Sequence, residues 1–144
     1  MWADSLLALE RGHLLRLALW GGASVLIGTL LLVWIAVRRA EVPLLRHFAI
    51  QTAAWGAIDL LICLWAGRDV AMRDFAGAQR LLNVLWLNTG LDAGYIAVGA
   101  TIALTAWRWG KSPGGIGAGL GIIVQGLALL LLDIRLIAAI GPMQ

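Results

Sequence analysis

Three aspartates lie inside apolar stretches of this sequence. Asp59 ends the series His47, Gln51, Trp55 and Asp59, which recurs every four residues. Asp92 belongs to the series Asn88, Asp92, Tyr95 and Gly99, and Asp133 to Gln125, Leu129 and Asp133. Each spacing puts its members on one face of a helix. An aspartate in the middle of a bilayer costs about 2.5–3.5 kcal/mol on insertion scales, so three of them need a chemical reason. One reason is structural. The acids pair with Arg16, Arg80 or Arg135 and hydrogen-bond to Gln51, Asn88, Tyr95 and tryptophan side chains, each such bond being worth about 0.6 kcal/mol between membrane helices. The other is functional: a carboxylate that takes up and releases a proton or a cation, as in coupled transporters. Arg135, two residues from Asp133, supports the structural reading. Yet residues two apart point to different sides of a helix, which leaves Arg135 free to reach the headgroups.

Other reactive patterns are absent. There is one cysteine, Cys63, and two histidines, His13 and His47, so neither a disulfide nor a metal centre is expected. The segment Gly114 to Gly121 is glycine-rich but lacks the lysine and the preceding strand of a phosphate loop. No HExxH motif occurs, and no Ser/His/Asp set has a plausible shared site. The expectation is a protein without a catalytic site and without a cofactor. Gly90 with Gly94, and Gly117 with Gly121, are small-xxx-small pairs that allow helices to approach closely, either within the bundle or between two copies. Trp55 and Trp86, with Tyr95, could form an apolar wall around a lipid- or quinone-like ligand.

Positioning these residues requires helices in a bilayer. Of 144 residues, 61 % are hydrophobic and 13 % charged, where a soluble domain has roughly half and a quarter. A soluble fold of this length could not hide so much apolar surface. The net charge of +3, spread over eleven basic and eight acidic residues, forms no patch for nucleic acid. Four apolar spans of sufficient length fall at about 17–37, 44–66, 82–107 and 116–140. Short connections imply antiparallel neighbours, and Pro43, Pro113 and Pro142 lie at span ends, where proline is tolerated. Residues 1–16 mix Asp4, Glu10, Arg11 and Arg16 with apolar positions, which suits an amphipathic helix on the membrane surface rather than a secretory signal. Residues 69–80 suit a second surface segment. Trp20, Trp34, Trp65, Trp107 and Trp109 fall near span ends, as an interfacial belt does. Trp55 and Trp86 suit packing between helices.

The expected fold is therefore an all-α, membrane-embedded bundle of four transmembrane helices at 17–141. The halves look alike. Gln51 and Asp59 match Gln125 and Asp133 at an offset of 74, and Gly28 matches Gly99 at an offset of 71. This suggests a duplicated two-helix hairpin, a parallel repeat. Both ends of the four-span domain and the middle connection share one face, X, and the other two connections share face Y. At 1.5 Å per residue, the three aspartates fall in the half nearer face X, roughly 10–15 Å deep. Lysine and arginine are nearly balanced between the faces. Arg38, Arg39, Arg108 and Lys111, crowded into short loops, favour a cytoplasmic face Y, and the balance also permits dual insertion.

The segments Gln51-x3-Trp55-Gly56-x-Ile58-Asp59, Leu87-Asn88-x-Gly90-Leu91-Asp92-x-Gly94-Tyr95-Ile96, and Gly121-x3-Gln125-Gly126 leading to Asp133 carry a resemblance. Over residues 44–140 the chain resembles an uncharacterised bacterial family of short four-span membrane proteins, a domain of unknown function. Asp59 stands where the family's pattern has an asparagine. The resemblance implies the fold and a bacterial inner membrane, and implies no activity. Three readings of function follow. The first is an accessory or scaffold subunit, partnered by lipid and by other membrane subunits. The second is a small homodimeric transporter, coupled to protons or cations, with Asp92 as the site and Asp59 and Asp133 beside it. The third is a binder of a lipid- or quinone-like ligand.

Overall fold

A computed structural model describes residues 2–141. Helix α1 runs Trp2–Arg38, α2 Pro43–Ala66, α3 Phe75–Thr105 and α4 Pro113–Ile140. One 3-10 turn, Gly67–Asp69, follows α2, and a π-helical turn, Ala106–Gly110, follows α3. All four helices are long and apolar enough to cross a membrane. The protein is an all-helical membrane bundle.

The ends follow local chemistry. Pro43 and Pro113 open α2 and α4 from the first turn, where a missing N–H costs nothing. Asp74 caps α3 by accepting from the Gly77 N–H at 2.7 Å, and Ser112 caps α4 by accepting from the Gly115 N–H at 3.3 Å. Two turns carry a basic residue in the left-handed region, Arg39 at φ 50° and Lys111 at φ 44°. Each reverses the chain just ahead of a proline.

The outside of the bundle is apolar, and polar side chains lie among the apolar ones inside it. Leu19, Leu61, Leu87 and Leu131 are each more than 60 % exposed, whereas Asp59 and Gln125 are among the largest fully buried side chains. Trp34, Trp65, Trp107 and Trp109 are exposed near helix ends, where amphipathic rings meet the interface. Lipid tails cannot drive such helices together, so close packing must. Gly28 of α1 lies so near α2 that a Cβ there would fall 2.7 Å from the Ala49 carbonyl oxygen and 2.8 Å from the Ala53 Cβ. Gly99 of α3 meets α4 in the same way, 2.8 Å from the Gly119 oxygen and 2.9 Å from Ile123. Gly56 meets Gly21 and Val25, and Gly126 meets Asp92 and Ile96.

These contacts reproduce one hairpin in the other. The first helix of each pair is related by an offset of 71 and the second by 70, as Pro43 and Pro113 also are. The Gln/Asp match at 74 is one helical turn out of this register. Gln51 corresponds to Gly121, against which its own Cβ packs, and Gln125 corresponds to Trp55.

Two expectations about boundaries need correction. Residues 1–16 do not form a separate surface helix: from Trp2 on they are the first turns of α1, unbroken to Arg38. The buried positions Leu6, Glu10, His13, Leu17, Gly21, Ser24 and Gly28 advance by threes and fours straight through position 16, so one stripe faces the bundle throughout. Leu6 packs with Ala78, Leu82, Leu85, Leu136 and Ile140 into an apolar plug at face X. Likewise α3 starts at Phe75, not near 82, because Asp74 caps it there. As a result Trp20 lies midway along α1 rather than at an end.

Candidate functional site

The pairing of helices is unequal, and this makes the site. Helix α1 lies along α2, α2 along α4, and α4 along α3, and α1 also leans on α4. The counterpart contact, α2 with α3, is nearly missing. A cavity of about 280 Å³ occupies that seam, and all four helices line it.

Each acid reaches the cavity from a stripe of mostly small or apolar inward residues: Ala49, Thr52, Gly56 and Asp59 on α2, Leu82, Leu85, Asp92 and Gly99 on α3, and Gly121, Gln125, Asp133 and Leu136 on α4. Asp59, Asp92 and Asp133 are 1 %, 4 % and 8 % exposed. Asp92 lies close enough to interact electrostatically with both of the others. The three carboxylates that spacing and depth put on one side of the membrane all line this cavity. Both carboxylate oxygens of Asp59 and the Oδ2 of Asp92 have no hydrogen-bond partner among the described residues. The acids are spread around the cavity wall: among the described residues, no group of three His, Cys, Asp or Glu side chains has the convergence of a metal site.

The structural pairing expected for Asp133 is different from the one found. Arg135 points away, to the outer surface between α1 and α4. The neighbour of Asp133 is His13, with Nε2 3.4 Å from Oδ1, and the Asn88 side chain faces the same carboxyl. One turn nearer face X, Arg73 grips Glu10 with two bonds, Nε donating at 3.0 Å to Oε2 and a terminal nitrogen at 2.5 Å to Oε1. That carboxylate pushes the Arg73 guanidinium above its ordinary range, chiefly through these hydrogen bonds. His13 and Glu10 both line the cavity. Sequence reasoning passed over them by assigning them to a surface segment. The signal was present in their place on the stripe that continues into Leu17, Gly21 and Ser24.

The remaining candidates divide. Tyr95 and Trp55 bridge the α2–α3 seam edge to face, 4.9 Å between ring centroids at 62°, and both line the cavity. Trp86 does not, being 60 % exposed on the outer face of α3; the ligand wall therefore loses it. Gln125 lies outside the cavity and is satisfied. Its Oε1 accepts from the Trp20 indole N–H at 2.7 Å, and its Nε2 donates to the Ser24 hydroxyl at 3.1 Å. Gln51 packs on α4 at Gly121. His47 is exposed near the face-Y end of α2, its Nδ1 2.9 Å from the Pro43 oxygen. Gly117 and Gly121 serve internal packing, against Leu44 and Gln51. Gly90 and Gly94 do not: nothing lies within 4 Å of a Cβ at either.

The arrangement is a largely apolar cavity lined by carboxylates and one imidazole, with the Trp55 and Tyr95 rings among its walls. Such a site attracts a proton or a positively charged ligand.

A family model described as a family of unknown function (DUF6992) matches residues 16–134. No curated protein and no solved structure matches the chain.

Proposed function

The chain belongs to the DUF6992 family of unknown function, and we propose that it binds a small organic cation in the α2–α3 cavity, in exchange for protons held by Asp59, Asp92 and Asp133. This is the transporter reading, without catalysis, in a bacterial inner membrane. The observation that carries it is the unpartnered Asp59 carboxylate beside Asp92 in a cavity built by all four helices. A purely structural cluster would be expected to spend those oxygens on donors, since a buried acceptor left bare costs about 1–3 kcal/mol. The Trp55 and Tyr95 rings line the same cavity, where aromatic side chains favour a cation. The volume is close to the lower bound of small-molecule sites, roughly 300 Å³, so the ligand is compact.

The test uses tetraethylammonium as probe and the purified protein in detergent. Binding is expected to quench tryptophan fluorescence and to release protons into weakly buffered solution. Asp92→Asn should weaken binding about tenfold or more, the scale of one lost charge pair, and abolish proton release. Equal binding by wild type and Asp92→Asn would remove the reading.

A second reading, the accessory or scaffold subunit, is favoured by Gly90 and Gly94. They leave a shallow outward strip on α3 suited to another helix. Native mass spectrometry of protein drawn from its own membrane separates the two. A constant heteromeric mass supports the subunit; a monomer or homodimer supports the carrier.

A further inference from the structure

Arg16 and Arg135 take no part in the cavity. They flank one end of a groove of about 520 Å³ on the outside of the bundle, between α1 and α4. Neither forms an ion pair among the described residues, whose salt bridges are His13 with Asp133 and Arg73 with Glu10. Two cations so placed repel each other unless an anion lies between them. The Arg16 guanidinium folds back towards face X, its nitrogens 3.5 and 3.7 Å from the Cβ position of Gly12. Arg135 lies five residues before the end of α4 at Ile140, about 8 Å along the axis. Both arginines therefore stand on the face-X side of the groove, Arg16 starting deeper on its helix and reaching back towards that face along Gly12.

Inward from the arginines the groove becomes apolar. Helix α1 contributes Leu19 and then Ala23, and the antiparallel α4 contributes Leu132 and then Ala128. The leucines form the rims, and the alanines leave the floor low. The charged end faces the membrane surface, and the apolar part extends about 10 Å into the hydrocarbon on both helices. This is the polarity sequence of a phospholipid standing in one leaflet, and basic pockets between membrane helices hold acidic headgroups by this charge match.

We propose that the groove holds an anionic phospholipid, its phosphate between Arg16 and Arg135 and an acyl chain over Ala23 and Ala128. The site is separate from the carboxylate cavity and does not depend on what that cavity binds.

Native mass spectrometry tests it, with the detergent-solubilised protein titrated with phosphatidylglycerol or with phosphatidylcholine of the same chains. The wild type should bind the first phosphatidylglycerol about thirtyfold tighter, given about 1 kcal/mol for each of the two arginines near a surface phosphate. Arg16→Gln with Arg135→Gln should reduce that preference to about twofold or less, while Arg38→Gln with Arg39→Gln, at face Y, should keep it. Ala23→Phe with Ala128→Phe, which fills the floor and leaves both arginines, should also lose the tight lipid; it decides the matter if the arginine variant does not fold. Equal binding of the two lipids by wild type, or an unchanged preference in both groove variants, overturns the proposal. So does a protein dimer that the groove variants disperse, because a second copy would then be the occupant.

Discussion

Arg73 and Glu10 show how much one connection can hold in place. The loop before α3 is fastened to α1 by two charge-assisted bonds, and Glu10 is only 9 % exposed in its side chain against 27 % for Arg73. Removing the arginine leaves a buried carboxylate bare. Arg73→Gln is therefore expected to destabilise the protein by about 2 kcal/mol, below the roughly 3–5 kcal/mol of a fully buried pair because Arg73 keeps contact with water. Glu10→Gln combined with Arg73→Gln should recover part of the loss, read as thermal unfolding in detergent; full additivity would mean that the bridge is idle. Because the Arg73 group titrates higher in the folded protein, its contribution is complete below the ordinary arginine range and is lost only as pH rises beyond it. Raising the pH from 6 to 9 should leave the difference between Arg73→Gln and wild type unchanged. At this scale the three carboxylates were legible, since helical spacing and depth place them together. The partner of Asp133 was not, because His13 lies 120 residues away and no local spacing links the two.

At the scale of the helix, neighbouring glycines have opposite roles. A Cβ at Gly21 would meet the Gly56 oxygen at 2.9 Å and the Asp59 Cβ at 3.0 Å, whereas at Gly22 nothing lies within 4 Å. Gly21→Val should separate α1 from α2 and cost about 1–3 kcal/mol, as overpacking does. Gly22→Val should match wild type, again by thermal unfolding; equal effects would argue against this crossing. The spans were readable from hydropathy, and the C-terminal ends of α1, α2 and α4 fall at Arg38, Ala66 and Ile140, where the apolar runs stop. The start of α1 was misread because charges at Asp4, Glu10 and Arg11 suggest a surface, although Glu10 and His13 lie on the buried stripe. The repeat was visible in Gly28 and Gly99. Pro43 and Pro113 carried the register of its second helix more faithfully than the Gln/Asp pairs, because prolines mark where a helix must begin.

For the whole molecule, the even number of crossings puts the ends of the described chain on one face and Arg39 and Lys111 on the other. Orientation can be read with Cys63→Ala as background, Glu41→Cys on face Y and Asp69→Cys on face X, labelled in intact cells with an impermeant maleimide. With face Y in the cytoplasm, Asp69→Cys should label and Glu41→Cys should not. Labelling of both would reveal dual insertion, which the near balance of basic residues allows. The cavity itself could not be foreseen from composition or periodicity. It depends on α1 leaning towards α4 while α2 and α3 stay apart, a choice made by packing among distant side chains.

The register of the two hairpins also separates packing from charge. In the packing register, Asp92 corresponds to Gly21, Asp59 to Leu129 and Asp133 to Cys63. No acid of the cavity has an acidic counterpart in the sister hairpin, whereas Gly28, Gly56 and Pro43 have Gly99, Gly126 and Pro113 as theirs. The crossings therefore do not depend on the charges: both hairpins share the packing register, and the carboxylates follow no such repeat. Asp59→Leu with Asp133→Cys, which places the residues of their counterparts, should keep helicity and melting while the proposed binding of a cation is lost.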